Sequence, residues 1–374
     1  STRPYTYTWN QALNATIWIM ELHQVDCFKL NIRFWNFLGI WPYNNSGRSY
    51  KCFSILFIGT FIILHNVLFT TNFYYLPRQL DVFIEELIFY FTVLSVFSKV
   101  LTFIFMRKKI VELLRILESE IFQPDDDEGL AIVTKAKKFN RTYYKIFGSI
   151  CGTANIAHVV MPFIAHFIFK GELLLPVCSY SFFSDEFRHM FIYFLYIYQA
   201  AGIHMHMLYN INIDTFFLGL MVLIIAQLEV LDRKLGNSKN FADTSQIPVT
   251  NLNRCIIHFN EVNCNLKINI YLFRSGNTLI YCFQPAEVRF YIFLAAYMSA
   301  IILEIMVPCW FGTKLMVKSN LLAFSTYDCD WTPRSRQFKS NLRLFVERAN
   351  KPLSITGGKM FCLSLATFTS VSLF

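Results

Sequence analysis

Apolar residues run along this chain in blocks long enough to cross a bilayer, separated by shorter stretches that carry most of the charge. Crossing about 30 Å of hydrocarbon takes roughly 20 helical residues. Three charge-free blocks reach that length: Cys52 to Pro77, Ile146 to Phe169 and His189 to Ile213. Three more follow once interior charges are allowed: Val82 to Met106 around Glu85, Glu86 and Lys99, Ile268 to Phe283 around Arg274, and Phe290 to Thr313 around Glu304. A seventh block, Met360 to Phe374, is apolar with a Ser/Thr stripe, and as a helix it gives only about 22 Å, so this span is expected to be cut short. The pattern predicts an all-α membrane protein with seven transmembrane helices. Past Asp214 the fourth block runs on through Thr215 to Leu228; a continuous helix from His189 would reach about 60 Å, so it either projects beyond the bilayer or breaks near Asp214.

Composition agrees. Of 374 residues 55% are hydrophobic and 16% charged, too apolar for the soluble average, and the aromatic content excludes disordered or collagen-like classes. The net charge of +9 would suggest nucleic acid in a soluble protein, but here the useful question is which side holds the Lys and Arg residues. With the N-terminus inside, 26 of them fall on the inner side and four (Arg78, Lys170, Arg188 and Arg289) on the outer. The positive-inside rule therefore predicts a cytoplasmic N-terminus and an extracellular C-terminus, inverted relative to G-protein-coupled receptors. The expected division is a cytoplasmic segment 1–51, helices one to six over 52–318, and 319–374 carrying a cytoplasmic anchor helix and the seventh helix.

No catalytic or metal chemistry is legible. The ten cysteines form no Cys-x-x-Cys pair, and there is no Gly-rich phosphate loop or nucleophile turn. His204 and His206 stand two apart, so on a helix they point about 200° apart and cannot share an ion. Asp125 to Glu128 lack the spacing of a calcium loop and read as a solvated acidic turn. No cofactor and no enzyme activity are expected.

Ionisable groups at membrane depth are costly and so point to function by default. Lys99 lies seven residues before Arg107 and is expected to snorkel to the inner surface. Glu304, near the middle of its span, has no such escape; it is expected to pair, with Arg274 as the candidate partner, or to serve gating. Aromatic and apolar residues recur at helical spacing in the outward halves of four spans: Phe83, Leu87, Tyr90 and Phe91; His158 and Pro162; Phe194 and Tyr198; Phe293 and Tyr297. Such spacing serves helix packing, and it equally suits a pocket for a small, apolar, volatile ligand with one hydrogen-bonding group. Ser364, Thr367 and Ser370 recur every three residues. They either line a hydrated lumen or bond backbone carbonyls.

The C-terminal stretch adds a resemblance. Tyr327-x-Cys329-x-Trp331, Lys351-Pro352-Leu353-x-Ile355-x-Gly357-Gly358 and Leu363-Ser364-Leu365-x-Thr367-Phe368-x-x-Val371 resemble the signature of insect odorant receptors. Leu38-Gly39-Ile40-Trp41-Pro42, Tyr198-Gln199-x-x-Gly202, Asp214, Gln227 and Leu228 support it. Gly357 stands where that family more often has Ala, and the chain ends soon after Val371, where relatives usually continue. The resemblance implies an odorant-gated, non-selective cation channel, assembled as a heterotetramer with the odorant receptor co-receptor in the cell membrane of olfactory sensory neurons, with the seventh helix lining the pore. The short stretch from Gly236 to Thr250 favours a tuned receptor over the co-receptor. A metabotropic seven-helix chemoreceptor and a gustatory-type receptor channel are the alternatives, and the gustatory Thr-Tyr-x-x-x-x-x-Gln-Phe motif is absent.

Overall fold

In the computed structural model, residues 24–42, 47–75, 80–124, 126–237, 253, 255–262, 288–327, 331–357 and 361–372 are described. A 3-10 turn, Gln24–Phe28, leads into α1 (Lys29–Phe37). The long helices follow: α2 (Arg48–Tyr75), α3 (Leu80–Leu117), α4 (Asp127–Phe169), α5 (Asp185–Asn237) and, after a helical segment 255–262, α6 (Val288–Tyr327). The amphipathic helix α7 (Arg336–Ala349), a two-stranded hairpin and α8 (Leu365–Ser372) end the described chain. Segments of α2 to α6 are each long and apolar enough to cross a membrane. The fifth block, Ile268 to Phe283 with Arg274, lies outside the described residues.

The organising element is α5. Its 53 residues continue helically through Asp214, so the break there does not occur, and the only non-helical backbone is at Phe191. From Ile211 to Leu228 every residue but Asp214 is buried, because α3, α4, α6 and the N-terminal elements surround this stretch. A helix apolar all round is the pattern of a bundle centre.

Polar residues then act as local clamps. Asn31 of α1 donates to Asn212 O and Thr215 Oγ1 of α5, both at 2.9 Å. Gln227 Nε2 donates to Gln24 Oε1 at 2.7 Å, and Gln24 Nε2 to Phe122 O at 2.7 Å, which seats the turn before α1 in a buried groove. At the other end of α5, Gln199 Oε1 accepts from Val177 N at 3.2 Å and its Nε2 donates to Cys178 O at 2.7 Å. One side chain thus holds the α4–α5 loop down on the bundle. The acidic turn is a helix start: Asp126 accepts from Gly129 N at 2.8 Å, capping α4, while Arg233 pairs with Asp126 and Glu128.

The start of the seventh block differs from its expected form. Thr356 and Gly357 pair antiparallel with Cys362 and Phe361, so Phe361–Cys362 is extended and the helix begins only at Leu365. Leu365 N donates to Thr313 Oγ1 and Leu353 N to Ser319 Oγ, both at 2.9 Å, which lays this segment along α6.

Candidate functional site

Where α3, α4, α5 and α6 meet, they line a partly open cavity of about 180 Å³. These are the four spans in which pocket residues are expected. Helical periodicity supplies the walls: Phe147, Cys151, Ala154, Asn155 and His158 from α4; Ile203, His206, Met207 and Asn210 from α5; Phe293, Tyr297, Ala300, Ile301 and Glu304 from α6. α3 adds Phe89, Phe91, Thr92, Val93 and Val96, and Val177 of the loop held by Gln199 reaches in from above.

One wall is a stack of rings. The His158 imidazole lies 4.5 Å from Phe293 and 4.8 Å from Phe89, with interplanar angles of 26° and 19°. Phe293 continues onto Tyr297 at 5.4 Å and 25°. The faces of these rings suit another flat apolar group. An engineered cavity of about 150 Å³ takes a benzene molecule, so this one suits a ligand of about one ring with a short substituent. Hydrogen-bonding groups are few. Tyr297 and Thr92 share a hydrogen bond of 2.7 Å, and Asn155 Nδ2 is buried without a hydrogen-bond partner.

At one end the cavity meets a charge cluster. Lys99 Nζ donates to Glu304 Oε1 at 2.6 Å, Asn210 Oδ1 at 2.7 Å and Asp214 Oδ2 at 2.8 Å. Lys99 is 5% exposed, so it does not snorkel: three acceptors from α5 and α6 satisfy its three hydrogens in place. Glu304 does find an ion-pair partner, but among the described residues that partner is Lys99, and Arg274 lies outside them.

Of the residues expected to line the pocket, Phe91, His158, Phe293 and Tyr297 do so. Phe83 and Leu87 fall on the described backbone of α3, but their side chains lie outside the description. Tyr90 packs instead between Phe69 and Phe73 of α2, Tyr198 donates to Thr60 O at 3.0 Å, and Phe194 is exposed on the outside of α5. Pro162 follows a π-helical stretch, Ile156–Val160, whose added residue rotates everything after it off the cavity face. Phe89, Asn155, His206 and Asn210 were missed. Asn155 stands three residues before His158 on the same helical face, so its signal is in the sequence; Phe89, His206 and Asn210 stand at no spacing of three, four or seven from the expected residues of their helices.

Ser364 lies just before α8, where its Oγ accepts from Thr367 N at 3.2 Å. Thr367 Oγ1 donates to Cys362 O at 2.6 Å and Ser370 Oγ to Ala366 O at 2.8 Å. The three therefore do not form one stripe on a single helix: Ser364 caps it, and the other two bond carbonyls. His204 approaches Asn155 at 3.3 Å while His206 is buried on the cavity side, and no group of three metal ligands occurs among the described residues.

Comparison with known proteins matches this architecture. A family model described as 7tm Odorant receptor covers residues 79–268 and 277–374. Odorant receptor 2a of Drosophila melanogaster is 24% identical over 350 residues, 83% of each chain. Odorant receptor 94a of the same species is 25% identical over 193 residues, 47% of this chain and 49% of its own, so the chain matches about half that relative's length. An odorant receptor coreceptor of Harpegnathos saltator is 23% identical over 137 residues, 37% of this chain and 24% of that one. Among solved structures, the insect olfactory receptor OR5 from Machilis hrabei superposes with a TM-score of 0.77, covering 92% of this chain and 94% of that one. Its complex with eugenol gives 0.74, covering 94% and 95%. Both are 15% identical to this chain, a level that carries the fold alone.

Proposed function

The chain belongs to the odorant receptor family, and from that premise we propose that it is the odorant-binding, ligand-gating subunit of a non-selective cation channel formed with odorant receptor co-receptor subunits. The observation that carries the ligand-binding part is the aromatic cavity among α3, α4, α5 and α6. A volatile molecule has few heavy atoms and gains at most about 1.5 kcal/mol from each, so it needs walls on every side. The ring stack of Phe89, His158, Phe293 and Tyr297 supplies one such wall, and the Thr92–Tyr297 pair sets hydroxyl oxygens beside it.

In this reading the N-terminus is cytoplasmic and the C-terminus extracellular, supported by the distribution of Lys and Arg. The protein resides in the cell membrane of olfactory sensory neurons, and α8 lines the pore. Coupling from cavity to pore runs through α6, whose one face carries Phe293, Tyr297 and Glu304, and whose far half holds the hairpin and α8 through Thr313 and Ser319.

Co-expression with an insect co-receptor, with current recorded over an odorant panel that includes eugenol, tests the proposal. The expected result is odorant-evoked cation current that requires both chains. A response that needs a G protein and no co-receptor would instead make the chain a metabotropic receptor.

A further inference from the structure

The geometry points to Glu304 as the specificity-determining acceptor of the cavity, selecting a single-ring ligand that bears a hydrogen-bond donor, with a protonated amine the head group it holds best. This rests on the cavity being the odorant site. Glu304 lines the cavity, and its carboxylate is only partly used: Oε1 accepts from Lys99 at 2.6 Å, while Oε2 has Asn210 Nδ2 at 3.4 Å. A carboxylate offers about four lone-pair sites, so acceptor capacity remains. Lys99 offers nothing in return, since its three hydrogens already go to Asn210, Asp214 and Glu304.

Charge points the same way. The cluster sets one cation against two carboxyl groups, with side-chain exposures of 6% for Lys99, 19% for Asp214 and 21% for Glu304. Two carboxyl groups this close to a single cation do not both ionise in such surroundings unless another positive group arrives. A ligand ammonium at Glu304 would let both ionise with two cations to match, and a hydroxyl would satisfy a lone pair without bringing charge. An ether, ester or ketone would turn its own lone pairs toward the carboxylate, which is repulsive. The ring of the same ligand would lie against Phe89, His158 and Phe293.

The test uses the full chain co-expressed with the co-receptor and four molecules of matched size: phenethylamine, 2-phenylethanol, benzyl methyl ether and propylbenzene. The two donors should evoke half-maximal current at concentrations about tenfold or more below the ether. Glu304→Gln should bring phenethylamine close to propylbenzene, read as the ratio of their half-maximal concentrations within the variant, which a general change in coupling does not alter. Asp214→Asn removes one of the two carboxyl groups from a residue that does not line the cavity, and it should reduce the amine advantage alone; it also serves if Glu304→Gln does not reach the cell surface. Equal potency of ether and donors in the unmodified receptor, or a Glu304→Gln shift common to all four ligands, would overturn the inference. Current from propylbenzene without donor preference defeats only this inference, whereas no current from any odorant in a broad panel defeats the reading of the cavity as an odorant site.

Discussion

Lys99 and Glu304 are 205 positions apart in sequence, yet their charged atoms meet at 2.6 Å, tying α3 to α6 beside the cavity. With Asp214 at 2.8 Å on α5, helices α3, α5 and α6 share one charged node.

Removing the cation should be worse than removing the whole node. Lys99→Met leaves two buried carboxylates uncompensated and should cost about 3 kcal/mol, the lower end of the usual range because each carboxylate keeps some exposure. Surface labelling and thermal unfolding in detergent would measure it. Combining Lys99→Met with Asp214→Asn and Glu304→Gln should recover most of the loss. A single Lys99→Met as stable as the parent would mean that the node contributes little.

Filling the cavity should silence the receptor without unfolding it. Ala154 is buried against Phe293, and Ala154→Phe places a ring where the ligand belongs. Odorant-evoked current should disappear for every ligand at unchanged surface level. Tyr297→Phe is milder: it removes the hydroxyl bonded to Thr92 and should cost roughly 1 to 3 kcal/mol for ligands that use this pair, sparing hydrocarbons. Normal dose–response curves in Ala154→Phe would locate the site elsewhere.

Helix existence was legible because membrane-length apolar runs leave little choice of structure. What the runs do not encode is direction. The distance from Lys99 to Arg107 points its side chain to the inner surface, whereas its partners lie 111, 115 and 205 positions away. An α-helical register puts Pro162 on the face of His158, whereas the π-helical stretch before it shifts that face. Phe361 and Cys362 continue an apolar run, but pairing with Thr356 and Gly357 makes them a strand. Each miss came from a tertiary or local hydrogen bond that hydrophobic periodicity does not register.

Gly312 is where α6 admits the C-terminal segment. A Cβ there would lie 2.3 Å from Leu363 O and 3.0 Å from Leu363 C, both backbone atoms. Gly312→Ala should therefore displace the chain leading into α8 and destabilise by about 1 to 3 kcal/mol. Gly148→Ala on α4, where nothing lies within 4 Å, should be neutral or stabilise by about 0.5 to 1 kcal/mol. Parallel melting curves of the two variants would distinguish these outcomes, and equal behaviour would refute the packing argument.

Cys27 sits in the turn before α1, and burial pushes its thiol from the ordinary 9.0 up to about 12. Folded protein should therefore leave Cys27 unmodified by maleimide at pH 8, and unfolded protein should not; mass spectrometry of the labelled peptide reads both. Because the folded state holds the proton more tightly, this thiol's contribution to stability is complete below pH 9 and declines as pH rises toward 12. Rapid labelling of folded protein would mean that the turn opens from α4 and α5.

Ser370 and Thr367 offer the last test, because bonding a backbone carbonyl and facing a lumen are compatible for a hydroxyl. Ser370 is exposed, and its Oγ donates to Ala366 O; Thr367 is half-buried, and its Oγ1 donates to Cys362 O. If α8 lines a hydrated pore, Ser370→Cys should react with a water-soluble thiol reagent during odorant application and lose current, while Thr367→Cys should react more slowly. Ser364→Ala should act differently again: its hydroxyl accepts from Thr367 N, so its loss should cost about 1 kcal/mol of helix start and leave thiol access unchanged. Unaltered current after modification at Ser370 would turn this face away from the lumen and leave the three hydroxyls with a purely structural role.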